Sequence, residues 1–189
     1  EALHTDLNAM LAEVAPAVCI AATQTQFHPE VVEACAAIGS VRAIICEKPM
    51  ALSLAECDRM IDACERTSTL LQINHNRRWH PEWLQVQSLL EGGAIGDLVH
   101  IRAHLDGGKP APWWTSDYEG PLLHDCTHWL DVIDMYAGPA AWVLGFVEQR
   151  RRPYAVEDFA VAVIKYASGV TATLHSAELT DYDDSAIEL

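Results

Sequence analysis

Positive charge is scarce in this 189-residue chain: 12 Lys and Arg stand against 27 Asp and Glu, a formal net charge of −15. Nucleic acids and anionic membrane surfaces are therefore excluded as expected partners, since both need clustered cations. No apolar run reaches the roughly 20 residues that span a bilayer. No basic stretch leads into an apolar one, as it would in a secretory signal. The cysteines Cys19, Cys35, Cys46, Cys57, Cys64 and Cys126 include no Cys-x-x-Cys pair. Their scatter through apolar stretches fits reduced, buried thiols and a cytoplasmic location. Also missing is a Gly-x-Gly-x-x-Gly turn after a first strand, with an acidic residue beyond it. The chain opens inside a helical pattern. The expectation is a fragment that lacks a first strand–helix–strand unit of roughly 30 residues. Ser185 to Leu189 read as the start of a strand with no partner after it, so the other end is also expected to be cut.

Half of the residues, 50%, are hydrophobic, enough for a sizeable core. Residues 5–14 carry a helical stripe of Leu7, Met10, Leu11 and Val14. A short apolar strand over 17–22 follows, then a helix with Pro29 in its first turn, ending at Gly39. The apolar run 41–46 reads as a buried parallel strand. Ser53-Leu54-Ala55-Glu56 is a capping box opening a helix over 53–66, with Leu54, Cys57, Ile61 and Cys64 facing inward. Residues 69–73 form another apolar strand. This alternation predicts a parallel sheet with right-handed crossovers. A helix over 81–91 leads through Gly92-Gly93 to a different pattern. Val99, Ile101, Ala103 and Leu105 alternate with His100, Arg102 and His104. An irregular stretch, 106–119, precedes a helix over 121–137 that stops at Gly138-Pro139. Strands near 140–148, 157–166 and 170–177 follow, the last two joined by a tight turn at Ser168-Gly169. The fold class is α/β: a partial Rossmann-type parallel-sheet domain over 1–80, then an α+β domain over 81–189 with a mainly antiparallel sheet. Strands 157–166 and 170–177 are small or apolar on both faces, so one face is expected to mediate self-association into a homo-oligomer.

Lys48 stands where the strand 41–46 ends and a loop crosses to the next helix. In open α/β sheets ligands bind outside these carboxyl ends. Pro49 fixes its own φ and steers Lys48 away from the helical region, so the lysine rides on stiff, extended chain. A lysine so placed exchanges a proton near neutral pH when burial and positive neighbours lower its pKa. The same tripeptide, Glu47-Lys48-Pro49, also reads as a surface lysine beside a turn proline. The Lys48–Pro49 bond is a candidate cis peptide. Farther on, His124-Asp125-Cys126-Thr127-His128 sets two imidazoles four residues apart. On a continuous helix these share a face, with Asp125 turned away by about 100°. The pair resembles a His-Glu-x-x-His zinc helix with Asp for Glu, and a zinc-dependent hydrolase is the reading from a different class. No third ligand is evident, so no metal is assigned.

The order of motifs carries more than any one of them. Val18-Cys19-Ile20-Ala21-Ala22-Thr23 and His28-Pro29 precede Glu47-Lys48-Pro49. Asn76-Arg77-Arg78-Trp79-His80-Pro81, Gly92-Gly93-Ala94-Ile95-Gly96-Asp97, Gly120-Pro121-Leu122-Leu123, His128-Trp129-Leu130-Asp131 and Gly138 follow. Across nearly the whole chain this order resembles the Gfo/Idh/MocA family of NAD(P)-dependent sugar and polyol oxidoreductases. The resemblance implies hydride transfer between a secondary alcohol of a sugar, cyclitol or polyol and NAD or NADP. It implies that Lys48 and His128 are catalytic, with the histidine facing the lysine across the nicotinamide and touching the substrate hydroxyl. Many members have an aspartate four residues before that histidine; here the position is His124, which joins the catalytic set. Which of the three accepts the proton stays open. By the same resemblance Thr23, Gln26 and His28 lie near the pyrophosphate and nicotinamide ribose. Glu47 and Lys48 line the ribose and nicotinamide, and Arg78 and Trp79 lie near the nicotinamide. Trp113, Trp114 and Asp125 are candidate substrate contacts.

Plainer readings stand beside these. Thr23 and His28 also read as helix caps, Arg78 as a structural ion pair, and the tryptophans as cover for a domain junction. Arg150-Arg151-Arg152-Pro153 reads as a solvated loop. An NAD-dependent glycosidase branch and a non-catalytic relative are the other readings within the family. NAD and NADP are not distinguished, because the selecting segment is not in this sequence.

Overall fold

Asp6 accepts a bond from the Ala9 amide at 2.7 Å and so caps α1 (Leu7–Val14). In the computed structural model, which describes residues 2–108, 118–151 and 155–189, the chain divides into two compact units, Glu1–His75 and Asn76–Leu189. The first unit continues through β1 (Val18–Ala21), α2 (His28–Ala36), β2 (Ala43–Cys46), α3 (Leu54–Thr67) and β3 (Leu70–Ile73). Its strands are parallel, in the order β1-β2-β3, with Ile20 opposite Ile45 and Ile45 opposite Gln72. Leu11, Val32, Cys35, Ile44, Cys46 and Met60 form the centre of its core. Ser53 Oγ accepts from the Glu56 amide at 3.3 Å and donates to Glu56 Oε2 at 3.0 Å, which fixes the start of α3 where the capping pattern places it.

In the inward stripe of α3, Cys57 and Cys64 pack on the core as expected, and Leu54 and Ile61 are a correction. Leu54 is 83% exposed and Ile61 41%, while Met60, Ala63 and Cys64 are buried. The buried row runs Cys57, Met60, Cys64 at i, i+3, i+7, and Ile61 sits about 100° around from Met60. Both rows are apolar, so packing rather than composition chooses between them. On the sheet, Val18, Ile20 and Leu70 point away from the face that packs on the core and are exposed.

The second unit begins with a short turn, Asn76–Trp79, and α4 (Pro81–Glu91). Its remaining elements are β4 (His100–Asp106), α5 (Pro121–His124), α6 (Cys126–Ala137), β5 (Ala140–Glu148), β6 (Phe159–Tyr166), β7 (Thr171–Ala177) and β8 (Asp184–Glu188). The sheet order is β5-β6-β7-β4-β8; β4 and β7 are parallel and every other pairing is antiparallel. Trp129, Ile133 and Ala137 of α6 pack with Ile101, Ala103, Ile164 and Leu174 of the sheet in one core. Gly138 ends α6 at φ 83° and Gly169 turns the β6–β7 hairpin at φ 96°, both in the region that favours glycine.

One expectation is filled in and one changes. The final strand, β8, with no partner after it in the sequence, lies antiparallel on β4, with Arg102 opposite Glu188. That partner comes earlier in the chain, so no local pattern announces it. The helix expected over 121–137 is two helices, broken at Asp125, whose φ is −102° and ψ −40°. The pieces answer to different neighbours. Glu157 binds the Leu122 amide and Glu119 the His124 ring, while Cys126, Trp129 and Ile133 are buried. No helix among the described residues is long and apolar enough to cross a membrane.

Candidate functional site

In the first unit the parallel strands end along one edge, and each is followed by a polar residue. Thr23 follows β1 and is exposed; Glu47 and Lys48 follow β2 and are half-buried; Asn74 follows β3. The ladder runs one residue beyond the strands: the Glu47 amide donates to Ala21 O at 2.9 Å and the Asn74 amide to Cys46 O at 2.7 Å. Asn74 Nδ2 donates to Glu47 Oε1 at 2.6 Å, bracing the two strand ends against each other. The Lys48–Pro49 peptide is cis. Within the first loop Thr23 Oγ1 donates to Gln24 O at 3.4 Å, and Gln26 Nε2 to Gln24 Oε1 at 3.5 Å.

His28 is buried between the two loops. It is 1% exposed. Its Nδ1 lies 3.0 Å from Pro49 O and its Nε2 3.1 Å from Thr23 O. The ring is thus built under the two loops, and no side chain caps α2.

In the second unit Glu119 is 8% exposed and its Oε2 accepts from His124 Nδ1 at 2.8 Å. A carboxylate only accepts, so the shared proton belongs to Nδ1 and the ring is oriented by the pair. His124 Nε2 lies 3.7 Å from Asp125 Oδ1. His124 and Asp125 line a cavity of about 400 Å³ together with Leu105, Asp106, Glu178 and Asp183. His128 lies in the first turn of α6, half-buried. Asp131, one turn on, is taken by Arg78, whose Nε donates to both carboxylate oxygens at 2.8 Å. Arg78 is thus engaged in the ion pair that its plainer reading anticipates. The Arg77 guanidinium lies 4.2 Å from the Trp129 ring centre and 5.8 Å from that of Trp83. Burial lowers its pKa, with Asp125 opposing. Trp79 is 68% exposed. Burial pushes the Cys126 thiol up to about 12, so this cysteine between the two histidines stays protonated and is no nucleophile. Trp113 and Trp114 lie outside the described residues.

The zinc reading gains no third ligand from the structure: among the described residues no group of three or more His, Cys, Asp or Glu is disposed to hold a metal ion.

Comparison with known proteins agrees with the fold. Residues 2–75 match the oxidoreductase family with the NAD-binding Rossmann fold, and residues 83–189 match the GFO/IDH/MocA C-terminal domain. The chain belongs to the Gfo/Idh/MocA family. It is 33% identical over 180 residues to the D-apiose dehydrogenase of Paraburkholderia graminis, a match covering 92% of this chain and 47% of the relative. To the myo-inositol 2-dehydrogenase of Thermotoga maritima it is 26% identical over 180 residues, covering 88% and 52%. The WlbA dehydrogenase of Bordetella pertussis, solved with NADH and UDP-GlcNAcA, superposes with a TM-score of 0.85 at 25% identity, covering 97% of this chain and 56% of that one. An oxidoreductase of Agrobacterium radiobacter, solved with NAD+, L-tartaric acid and magnesium, gives 0.85 at 25% identity, covering 96% and 55%. The chain therefore spans about half the length of the relatives it matches.

Within this Gfo/Idh/MocA frame, three polar residues of the two units escape a reading of the sequence. Asn74 directly follows a strand end, so the carboxyl-edge rule was a usable signal for it. Glu119 and Glu157 reach their partners through space, from an irregular stretch and from the far side of β5. Nothing in their local sequence marks them.

Proposed function

We propose that the intact protein transfers a hydride between a secondary alcohol of a sugar, cyclitol or polyol and NAD(P). Membership of the Gfo/Idh/MocA family, with Lys48 at a strand's carboxyl end, is the observation that carries this reading. Thr23, Gln26, Glu47, Lys48 and Asn74 lie in the loops that follow the three strands, a set of hydroxyl, amide, carboxylate and ammonium groups suited to a ribose and a carboxamide. A nicotinamide cofactor, when bound, supplies the hydride chemistry. The chain's own contribution is position and proton transfer. Lys48 takes the hydroxyl proton during oxidation. His128 orients the alcohol, and His124, held by Glu119, supplies a second polar contact with Asp125. Trp79, and Arg78 through its pairing with Asp131, shape the nicotinamide end. The substrate is a small neutral polyol, and the protein works as a homo-oligomer in a reducing compartment, which suits its free cysteines.

Lys48→Met nearly preserves side-chain length and removes the proton-exchanging group. In the intact protein kcat is expected to fall by roughly 10²–10⁴-fold while the cofactor Kd moves little. His128→Ala should act in the same direction, and the double variant should lose less than the product of the two. Assays with a polyol panel and each cofactor read this directly. Near-normal kcat in Lys48→Met rejects the lysine-centred mechanism. Cleavage of an aryl glycoside in place of polyol oxidation would move the protein to the glycosidase branch.

A further inference from the structure

Two loops meet one buried ring. His28 opens α2, and its nitrogens reach Pro49 O at 3.0 Å and Thr23 O at 3.1 Å. The first of these oxygens belongs to the residue after Lys48, 21 positions along the chain from His28. The second belongs to the loop that follows β1. Burial leaves the ring 1% exposed, so water does not compete for these bonds. Both partners are carbonyl oxygens, which only accept, so the nitrogen that carries the ring proton donates to one of them and the tautomer decides which; the Nδ1–H tautomer ties the ring to Pro49 O. We infer that His28 is a positioning residue, clamping the Lys48-Pro49 segment against the Thr23 loop so that the lysine side-chain nitrogen is held at the strand edge. This rests on the reading of Lys48 as the proton-accepting group.

The reason a clamp is needed lies in the local chain. Lys48 comes directly after the last residue whose amide joins the ladder, Glu47 donating to Ala21 O at 2.9 Å. Beyond Glu47 the next residue is followed by a proline, which has no N–H to donate. Pro49 itself can therefore take no part in the ladder as a donor. The Nδ1 arm of His28 adds a tether at Pro49, one residue after Lys48. The Nε2 arm acts on the neighbouring loop and reaches the lysine only indirectly. The two arms thus differ in consequence, and side-chain geometry separates them. An asparagine places its amide nitrogen where Nδ1 is; a glutamine reaches toward the place of Nε2.

The test uses the intact protein with cofactor and a turned-over polyol. His28→Phe keeps a ring and removes both ring nitrogens. A shift of about 1 Å in a reacting group costs on the order of 10²-fold in rate, so kcat should fall by about 10–100-fold with KM little changed. His28→Asn should recover most of this loss and His28→Gln much less. In the Lys48→Met background His28→Phe should change kcat by less than about 2-fold, since the group it positions is gone. Equal factors in both backgrounds, or equal recovery by Asn and Gln, would overturn the proposal while leaving the catalytic lysine intact. Full turnover in Lys48→Met would instead overturn the catalytic reading, and the clamp with it. Should His28→Phe fail to fold, the contrast between His28→Asn and His28→Gln carries the same decision.

Discussion

Gly120 has an ordinary backbone, with φ −86° and ψ 178°, so conformation is no reason for a glycine there. Space is the reason. A Cβ on Gly120 would collide with the Glu157 carboxylate. That carboxylate accepts from the Leu122 amide at 3.2 Å, at the N-terminal end of α5, where amides lack partners within the helix. Gly120→Ala should therefore destabilise the second unit by about 1–3 kcal/mol. Glu157→Ala, though costly alone, should cancel part of that penalty when combined with it. Urea denaturation of the single and double variants reads both; strict additivity would show that the two residues do not compete for one volume. The contrast with Lys48 is instructive. Lys48 was legible because its neighbours in sequence, an apolar strand before and a proline after, define its place. Gly120 was visible only as a motif letter, and its physical cause lies 37 residues away.

At the scale of elements, the first unit packs thiols of α2, β2 and α3 into one core. Burial pushes Cys35 and Cys46 from 9.0 up to about 12, and raises Cys57 and Cys64 as well. In the unfolded chain these thiols lose their protons near 9.0, while the folded chain keeps them. The folded state then binds more protons, so stability falls as pH rises from about 9 towards about 12, and is fully present below that window. Denaturation midpoints measured across this range should drop, and Cys46→Ala should flatten the slope relative to the parent chain. An identical slope in the variant would mean that Cys46 is not shielded. The same elements show what periodicity conveys. The capping box at Ser53 places the start of α3 correctly, because a cap is a contact over three residues. The buried face of α3 did not follow from it, because Leu54 and Ile61 form a second apolar row that packing leaves outside.

For the whole molecule the open face of the larger sheet is the main unexplained surface. Leu144 and Phe146 of β5 stand opposite Val163 and Val161 of β6, and are 69% and 52% exposed. Across the sheet from them lies the face that carries Ala162, Ile164 and Tyr166 into the core with α6. An apolar face of this kind marks an interface, and self-association through it is the reading proposed here. Leu144→Glu should shift the intact protein towards monomer at micromolar concentration, as measured by light scattering behind gel filtration. An unchanged mass would place the interface elsewhere, and a monomeric parent would remove it. The formal charge of −15 does not oppose such a contact, since the face is apolar at its centre.

The sequence by itself determined the class of each element, the parallel alternation of the first unit and the antiparallel hairpins of the second. It determined that Lys48 follows a strand end, and that Gly138 and Gly169 terminate α6 and turn a hairpin. All of these are encoded in contacts over a few residues, where periodicity, caps and turn chemistry act. Tertiary structure decided the rest. It paired β8 with β4, with Arg102 and Glu188 86 positions apart, and Arg78 with Asp131, 53 apart. It broke the helix at Asp125 by anchoring its halves to different neighbours, and it buried His28 under two loops. Such partners are chosen by which surfaces close on each other, and the local pattern of side chains holds no record of a neighbour that far along the chain.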